Sequence, residues 1–243
     1  MIIIFLGPPG AGKGTQCKEL VNCYRLQHLS SGVCLRRERQ NGTELGQKVQ
    51  SYMDSGQLVP DEFIVSMMVE EIKNFNGDTR IVLDGFPRTL SQARELDRLL
   101  EQVGKKIDAV LNLQVDDNQL ELRITGRRSC PTCGAAYHIV FNKPQKQGHC
   151  DADGQILMQR TDDTPEVVSH RIKTCHQQTT PLIEYYQQQQ ILYLLNGNTS
   201  IEKVTAQMCW IIDQLTIEQV VKILFQARPL PRRQKTKQVR DAG

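Results

Sequence analysis

The chain has 243 residues, 39% hydrophobic and 23% charged, with a formal net charge of +3. That length suits one sizeable core with an inserted subdomain, or two small domains, and so small a charge makes no case for nucleic acid as a partner. The longest apolar run, Met1 to Leu6, is far short of the ~20 residues a membrane span needs and lacks the basic leader and cleavage site of a signal peptide, so no membrane partner is expected.

Met1–Leu6 reads as a buried first strand, followed by a glycine-rich turn and a helix over Thr15–Tyr24. A short strand around Leu29 leads into Ser30-Ser31-Gly32. Across residues 33–75, helical patterns alternate with breakers at Asn41-Gly42 and Gly56. The clearest helices there are Thr43–Asp54 and Asp61–Asn74, each opened by a capping residue. Arg80–Leu83 is a strand, Leu90–Gln102 a helix with Leu96, Leu99 and Leu100 on one side, Ala109–Val115 a strand and Asp117–Gly126 a helix.

Between residues 127 and 163 the character changes to turn residues, aromatics and metal-type ligands without a long helical period. Helix returns over Pro165–Gln190, with Pro165 suited to a first turn. Ile191–Leu195 is a last strand, Ser200–Leu215 a closing helix, and Ile217–Phe225 one further helix. The tail Arg228–Gly243 holds six basic residues against one acidic, Asp241. It is expected to be solvated and without structure, an arm for an acidic partner being the alternative. Strands alternating with helices predict an α/β fold, a doubly wound parallel sheet of five strands flanked by helices, with residues 127–163 inserted.

Gly7-Pro8-Pro9-Gly10-Ala11-Gly12-Lys13-Gly14-Thr15 stands between the first strand and the first helix. A loop that wraps phosphate must bring backbone N–H groups close, which side chains would obstruct; hence the four glycines. The helix aims its positive end at the same anion, and Lys13 supplies an ammonium for the outer phosphates. The general pattern places Ser or Thr directly after the lysine to hold magnesium. Here Gly14 intervenes and the hydroxyl comes at Thr15, which argues against a switch GTPase or a motor ATPase. A second motif, Asp84-Gly85-Phe86-Pro87-Arg88-Thr89, follows a strand, so its aspartate falls at the carboxyl edge of the sheet, where doubly wound proteins bind ligands. Asp84 there can orient magnesium through its water shell, and Arg88 can clamp a phosphate bidentately.

The stretch GPPGAGKGTQ resembles the cradle of nucleoside monophosphate kinases, and of adenylate kinases above all, and the Asp84–Thr89 hexapeptide is similar residue for residue to a signature of that family. The resemblance covers about residues 1–215 and implies a P-loop fold with a helical AMP-binding insertion and a lid. It implies MgATP and AMP as substrates and direct transfer between them, with Lys13, Asp84, Arg88, Arg123, Arg160 and Arg171 as catalytic residues. ATP would be met by Gly10, Ala11, Gly12, Lys13, Gly14 and Thr15, by Arg127, by Tyr137 and His138 on the adenine side, and by Thr199. AMP would be held by Ser31, Arg36, Gln57, Leu58, Val59, Gly85, Phe86, Pro87, Arg88, Gln92, Arg160 and Arg171. Asp162 and Asp163 either orient the arginines or cap the helix at Pro165. The sequence departs from the family pattern at Val33, where relatives usually carry Asp, a loss that bears on any polar network near the magnesium.

Cys130-Pro131-Thr132-Cys133 and, after sixteen residues, Cys150-Asp151-Ala152-Asp153 form a C-x2-C…C-x2-D pattern. Two close pairs separated by a loop let four ligands converge tetrahedrally, as structural zinc requires. Cys130, Cys133, Cys150 and Asp153 are therefore the candidate ligands, with His149 a bystander and unliganded thiols the alternative. Some bacterial members of the family carry the same lid pattern, so the long-lid, zinc-type form is expected. The other cysteines, Cys17, Cys23, Cys34, Cys175 and Cys209, are scattered and read as plain thiols in a cytoplasmic protein.

The expected division is a core of residues 1–29, 60–126 and 164–215, a monophosphate-binding region at 30–59, a lid at 127–163 and an extension at 216–243. A monomer is expected, from the family tendency. The alternatives are a related kinase with another acceptor or a GTP donor and, more distantly, a zinc-containing nucleic-acid module with a vestigial cradle. Aromatics at 5%, with none after Phe225, disfavour the last.

Overall fold

The computed structural model describes residues 1–75 and 79–226; the basic tail at Arg228–Gly243 lies outside the described residues. By internal contacts the chain divides into Met1–Cys209 and Trp210–Gly243.

Five parallel strands form the central sheet: β1 (Ile2–Leu6), β2 (Gln27–Ser30), β3 (Ile81–Asp84), β4 (Ala109–Gln114) and, after two short strands described below, β7 (Leu192–Asn196). Their order is β2-β3-β1-β4-β7, every neighbour parallel. Ile2–Leu6 and Ile81–Leu83 are buried throughout, as continuous apolar runs must be when helices cover both faces of a sheet. From β1 the chain turns towards β2, and from β4 towards β7. Those connections diverge, which opens a crevice at the carboxyl ends of the strands.

Helices fill the crossovers: α1 (Lys13–Tyr24), α2 (Ser31–Gln40), α3 (Glu44–Ser55), α4 (Asp61–Lys73), α5 (Leu90–Gln102) and α6 (Asp117–Thr125). Thr43 caps α3 by accepting from the Gly46 N–H at 3.0 Å, and Gly56 ends it in the left-handed conformation, as the capping pattern predicts. Leu96 and Leu100 of α5 enter the main core, with Met68 of α4, Val49 of α3 and Tyr186.

Two helical expectations are corrected. Pro165–Gln190 is not one helix: α7 (Pro165–Thr174) passes through a π-helical turn at Cys175–Thr179 and restarts as α8 (Pro181–Gln188). Pro181 has no N–H to give and its ring would strike the preceding turn, so it is tolerated only where a helix begins. At the other end, Ser200–Leu215 and Ile217–Phe225 are one helix, α9 (Ile201–Gln226). Thr216, the break expected between them, stays helical, its hydroxyl donating to the Ile212 carbonyl at 2.8 Å.

Residues 127–163 contain a two-stranded antiparallel ribbon, β5 (Arg127–Ser129) against β6 (Ala136–His138). Single bridges join Ser129 to Met158 and His149 to Ile156. Its own small core is Cys130, Ala135, Cys150 and Leu157, with Tyr137 packed against them.

Candidate active site

The cradle hangs between β1 and α1, and its glycines are forced by crowding. Gly7 has φ +138°, and a Cβ there would come 2.6 Å from the Leu113 carbonyl of β4; Gly10 has φ +80°, and a Cβ would come 2.5 Å from Ile124 of α6. Any other residue at either place meets both strain and collision. No side chain caps the start of α1, so its first N–H groups face the concavity, where an anion is the natural partner. Lys13, the first residue of α1, turns its ammonium back onto the loop, donating to the carbonyls of Gly7 at 2.7 Å and Pro8 at 2.9 Å. Burial lowers its pKa, against the attraction of Asp84.

Asp84 ends β3, in register with Phe5 of β1 and Ser30 of β2. Burial pushes its carboxyl up, but the hydrogen bond from His28 at 3.3 Å and the charge of Lys13 outweigh burial and hold it below the usual carboxylate range. Nothing in that support calls on position 33: Val33 is 51% exposed on α2. His28 is a supporting residue that sequence reasoning missed. Its signal was faint, a histidine on a short strand whose neighbour in the sheet is known only once the strand order is.

A second wall of the site is built around the loop after Asp84. The Ser31 hydroxyl donates to the Gly85 carbonyl at 2.6 Å, and Arg88 Nε donates to the same oxygen at 2.9 Å. Gln92 is buried and fully engaged: it accepts from the Arg88 N–H at 2.7 Å and donates to Asp61 at 2.7 Å. Asp61 also accepts from Thr89 at 2.9 Å. In this conformation Gln92 fixes the backbone of Arg88. Phe86 is fully buried, joined to Pro87 by a cis bond. Of the segment after α3, Val59 packs in the core, Leu58 is half-buried and Gln57 is exposed.

The structure brings five arginines together although their partners lie far apart in sequence. Arg127 donates to Asp163 through Nε at 2.8 Å and Nη2 at 2.5 Å, and Arg171 donates to Asp162 at 2.9 Å and Asp163 at 3.3 Å. Arg160 Nε donates to Ser129 Oγ at 3.1 Å. Burial lowers the pKa of Arg160 to about 9, helped by the like charges of Arg127 and Arg36. Arg36, largely desolvated on α2, is in electrostatic reach of Asp162, Arg127, Arg171 and Arg88. Arg88 in turn acts on Lys13 and Asp84, so cradle, signature loop and arginine cluster are one electrostatic unit. Asp162 and Asp163 orient arginines, and Thr164, not either aspartate, stands at the N-cap of α7.

Asp163 is fully buried. Asp163→Ala strands the Arg127 guanidinium among like charges and leaves Arg171 with Asp162 alone, so unfolding in urea is expected to show a loss of about 3–5 kcal/mol. Asp163→Asn, which keeps an acceptor, should lose less. An unchanged urea midpoint for the alanine variant would refute the bracing role.

Other candidates sit elsewhere. Arg123 on α6 donates to the Gly197 carbonyl at 3.2 Å and to Gln119 at 3.0 Å, apart from the arginine cluster. Thr199, in the loop after β7, donates to the Asn196 carbonyl at 2.9 Å, and Thr15 lies on the first turn of α1. His138 is buried; its Nε2 bonds the Leu122 carbonyl at 3.1 Å, while Nδ1 accepts from the N–H groups of Val140 and Phe141. Tyr137 faces the knuckle formed by Cys130, Cys133, Cys150 and Asp153, its hydroxyl 3.6 Å from Cys150 Sγ and accepting from the Asp151 N–H at 2.8 Å.

One ligand atom from each of Cys130, Cys133, Cys150 and Asp153 lies within 4.8 Å of the others. Cys133 Sγ is 3.5 Å from Cys150 Sγ, and Cys130 Sγ is 3.2 Å from an Asp153 oxygen. The Cys133 N–H donates to Cys130 Sγ at 3.4 Å. Thiol hydrogen bonds from Cys150 and Cys130 pull the Asp153 carboxyl down to about 2. The donor set, three sulfurs and one oxygen with none left over, suits a closed tetrahedral ion. His149 stays outside it, bonded to the Gln147 carbonyl at 3.0 Å.

The adenylate kinase family model matches residues 5–191. The chain is 43% identical over 215 residues to an adenylate kinase of Staphylococcus epidermidis, an alignment covering 88% of this chain and 100% of the relative. It is 44% identical over 215 residues to an adenylate kinase of Archaeoglobus fulgidus, covering 88% and 99%. A Staphylococcus aureus adenylate kinase matches at 43% over the same length, 88% of this chain and all of its own. With the cradle, the signature loop and the arginine cluster in place on this sheet, the chain belongs to the adenylate kinase family.

Proposed function

We propose that the chain catalyses reversible transfer of the terminal phosphoryl group of ATP to AMP, giving two ADP. The observation that carries the reading is the electrostatic continuity from Lys13 and Asp84 through Arg88 to Arg36, Arg127, Arg160 and Arg171. A site for one nucleotide has little use for so many cations; a triphosphate facing the phosphate of a second nucleotide requires them.

In this reading ATP phosphates enter the cradle of Gly10–Thr15, and the Lys13 ammonium swings from the loop carbonyls onto the outer phosphates. Arg127, Tyr137, His138 and Thr199 complete the ATP side. Magnesium bound with ATP would neutralise phosphate charge; Asp84, kept ionised by His28, and the Thr15 hydroxyl are the residues suited to hold its water shell. AMP lies against Ser31, Arg36, Gln57–Val59 and Gly85–Arg88, with Gln92 steadying Arg88. Arg88, Arg123, Arg160 and Arg171 spread the charge of the group in flight, and no covalent phosphoenzyme is needed. Residues 30–59 and 127–163 close as flaps over the core of 1–29, 60–126 and 164–215 and exclude water, with 216–243 an extension. Zinc on Cys130, Cys133, Cys150 and Asp153 would staple the lid.

We place the enzyme in the cytoplasm as a monomer; none of its eight cysteines is joined in a disulfide, and no helix among the described residues is long and apolar enough to cross a membrane. A coupled ADP-production assay with ATP or GTP as donor and AMP, CMP, UMP or GMP as acceptor tests the assignment. ATP with AMP is expected to turn over fastest. Absence of turnover with every pair, together with salt-sensitive oligonucleotide binding, would overturn it.

A further inference from the structure

A second group of metal-type side chains lies beneath the cradle, and the proposed reaction leaves its central member unused. Cys17 stands one turn along α1 from Lys13, on the same face. It is fully buried. His28 comes from β2 and Asp84 from the end of β3. Cys17 Sγ, a ring nitrogen of His28 and a carboxylate oxygen of Asp84 all lie within 4.8 Å of one another, and the His28–Asp84 pair is already at 3.3 Å. Bond lengths of 2.0–2.3 Å around a tetrahedral zinc put its ligand atoms roughly 3.3–3.8 Å apart, so a contraction of the cysteine arm by no more than about 1.5 Å completes the set.

We propose that Cys17, His28 and Asp84 form a second, dissociable site for a borderline divalent cation, zinc above all, and that its occupation switches the enzyme off. The donor set is one sulfur, one nitrogen and one oxygen. Magnesium, which demands oxygen ligands, is excluded by it, whereas zinc accepts all three. Three protein ligands leave the fourth position to water, unlike the closed lid knuckle. On binding, the Cys17 thiol gives its proton to solvent and its sulfur bonds the metal, with no change of oxidation state. The Lys13 ammonium and Arg88 guanidinium that act on Asp84 oppose an incoming cation; a thiolate and a carboxylate together offset the cation's charge. That opposition makes the site weaker than the knuckle, and therefore reversible. The inhibitory consequence rests on the phosphotransferase reading, because zinc would take the Asp84 carboxylate away from the magnesium water shell; the binding itself does not.

The test uses the full chain with its lid metal in place. After equilibration with buffered free zinc, elemental analysis is expected to give two zinc ions per chain for the wild type and one each for Cys17→Ala and His28→Asn. Cobalt(II) added to the zinc-lid protein should produce a thiolate-to-metal charge-transfer band that Cys17→Ala lacks. Wild-type turnover should fall as free zinc rises and return on mild chelation. Cys17→Ala, as active as the wild type without added zinc, should need at least about tenfold more, a factor that even an outer-shell partner commands. A single zinc in the wild type, or a second zinc that persists in both variants, would overturn the site. A second zinc lost with Cys17 but without effect on turnover would uphold the site and refute the role given to Asp84.

Discussion

Arg88→Ala is expected to lower kcat by about 10²–10³-fold while the fold survives, the cost of deleting one preorganised charge donor from a phosphoryl-transfer site. The geometry separates the two consequences. The guanidinium's contact in this conformation is Nε to the Gly85 carbonyl at 2.9 Å, a hydrogen bond whose net worth is about 1 kcal/mol. The backbone of residue 88 is held independently: its N–H donates to Gln92, and its carbonyl accepts from the Thr179 hydroxyl at 3.0 Å. The melting temperature should therefore fall by no more than about 2–4 °C, given the size of the chain. Arg88→Lys should recover little, because an ammonium cannot grip two phosphate oxygens at once. Wild-type turnover in Arg88→Ala would remove the clamp assignment, and a collapsed melting curve would mean that the loop, not the charge, had been lost.

The parts of this site legible in the sequence are those whose physics is local. A cradle announces itself because backbone approach to phosphate demands glycine at fixed spacing beside a strand and a helix, and the collisions a side chain would cause at Gly7 and Gly10 show why. The ligand spacing of the knuckle was legible for the same reason: Cys130 and Cys133, and Cys150 and Asp153, must each turn within three residues. The members of the arginine cluster were legible through the family resemblance, but their convergence was not. Arg36, Arg127, Arg160 and Arg171 converge around Asp162 and Asp163, a pairing that depends on how residues 160–163 return against β5, which no local pattern encodes. The same holds for His28, whose partner Asp84 lies 56 residues away. The missed break at Cys175–Thr179 was within reach, since Pro181 cannot continue a helix. The glutamine-rich stretch before the last strand hid it by looking uniformly helical.

Removing metal from the lid is expected to lower the melting temperature by about 10 °C while costing less than half the activity at ambient temperature. The magnitude follows from linkage: a ligand present at a thousand times its Kd stabilises the native state by about 4 kcal/mol, and each kcal/mol moves a chain of this size by about 2–4 °C. The cause lies in the lid's composition. Its small core holds Cys130, Ala135, Cys150 and Leu157, so half of its buried members are proposed metal ligands and little apolar surface would hold it closed without them. Activity should suffer less because Arg127 and Arg160, the lid's proposed contacts to the phosphates, are tied to Asp163 and Ser129, and the β5–β6 ribbon keeps its own hydrogen bonds. Differential scanning fluorimetry before and after chelation, with metal content verified, makes the measurement. Asp153→Ala should reproduce most of the shift, since an open fourth position weakens the ion without disturbing Cys130, Cys133 or Cys150. An unchanged melting curve after verified metal loss would show that the knuckle's thiols hold the lid without an ion.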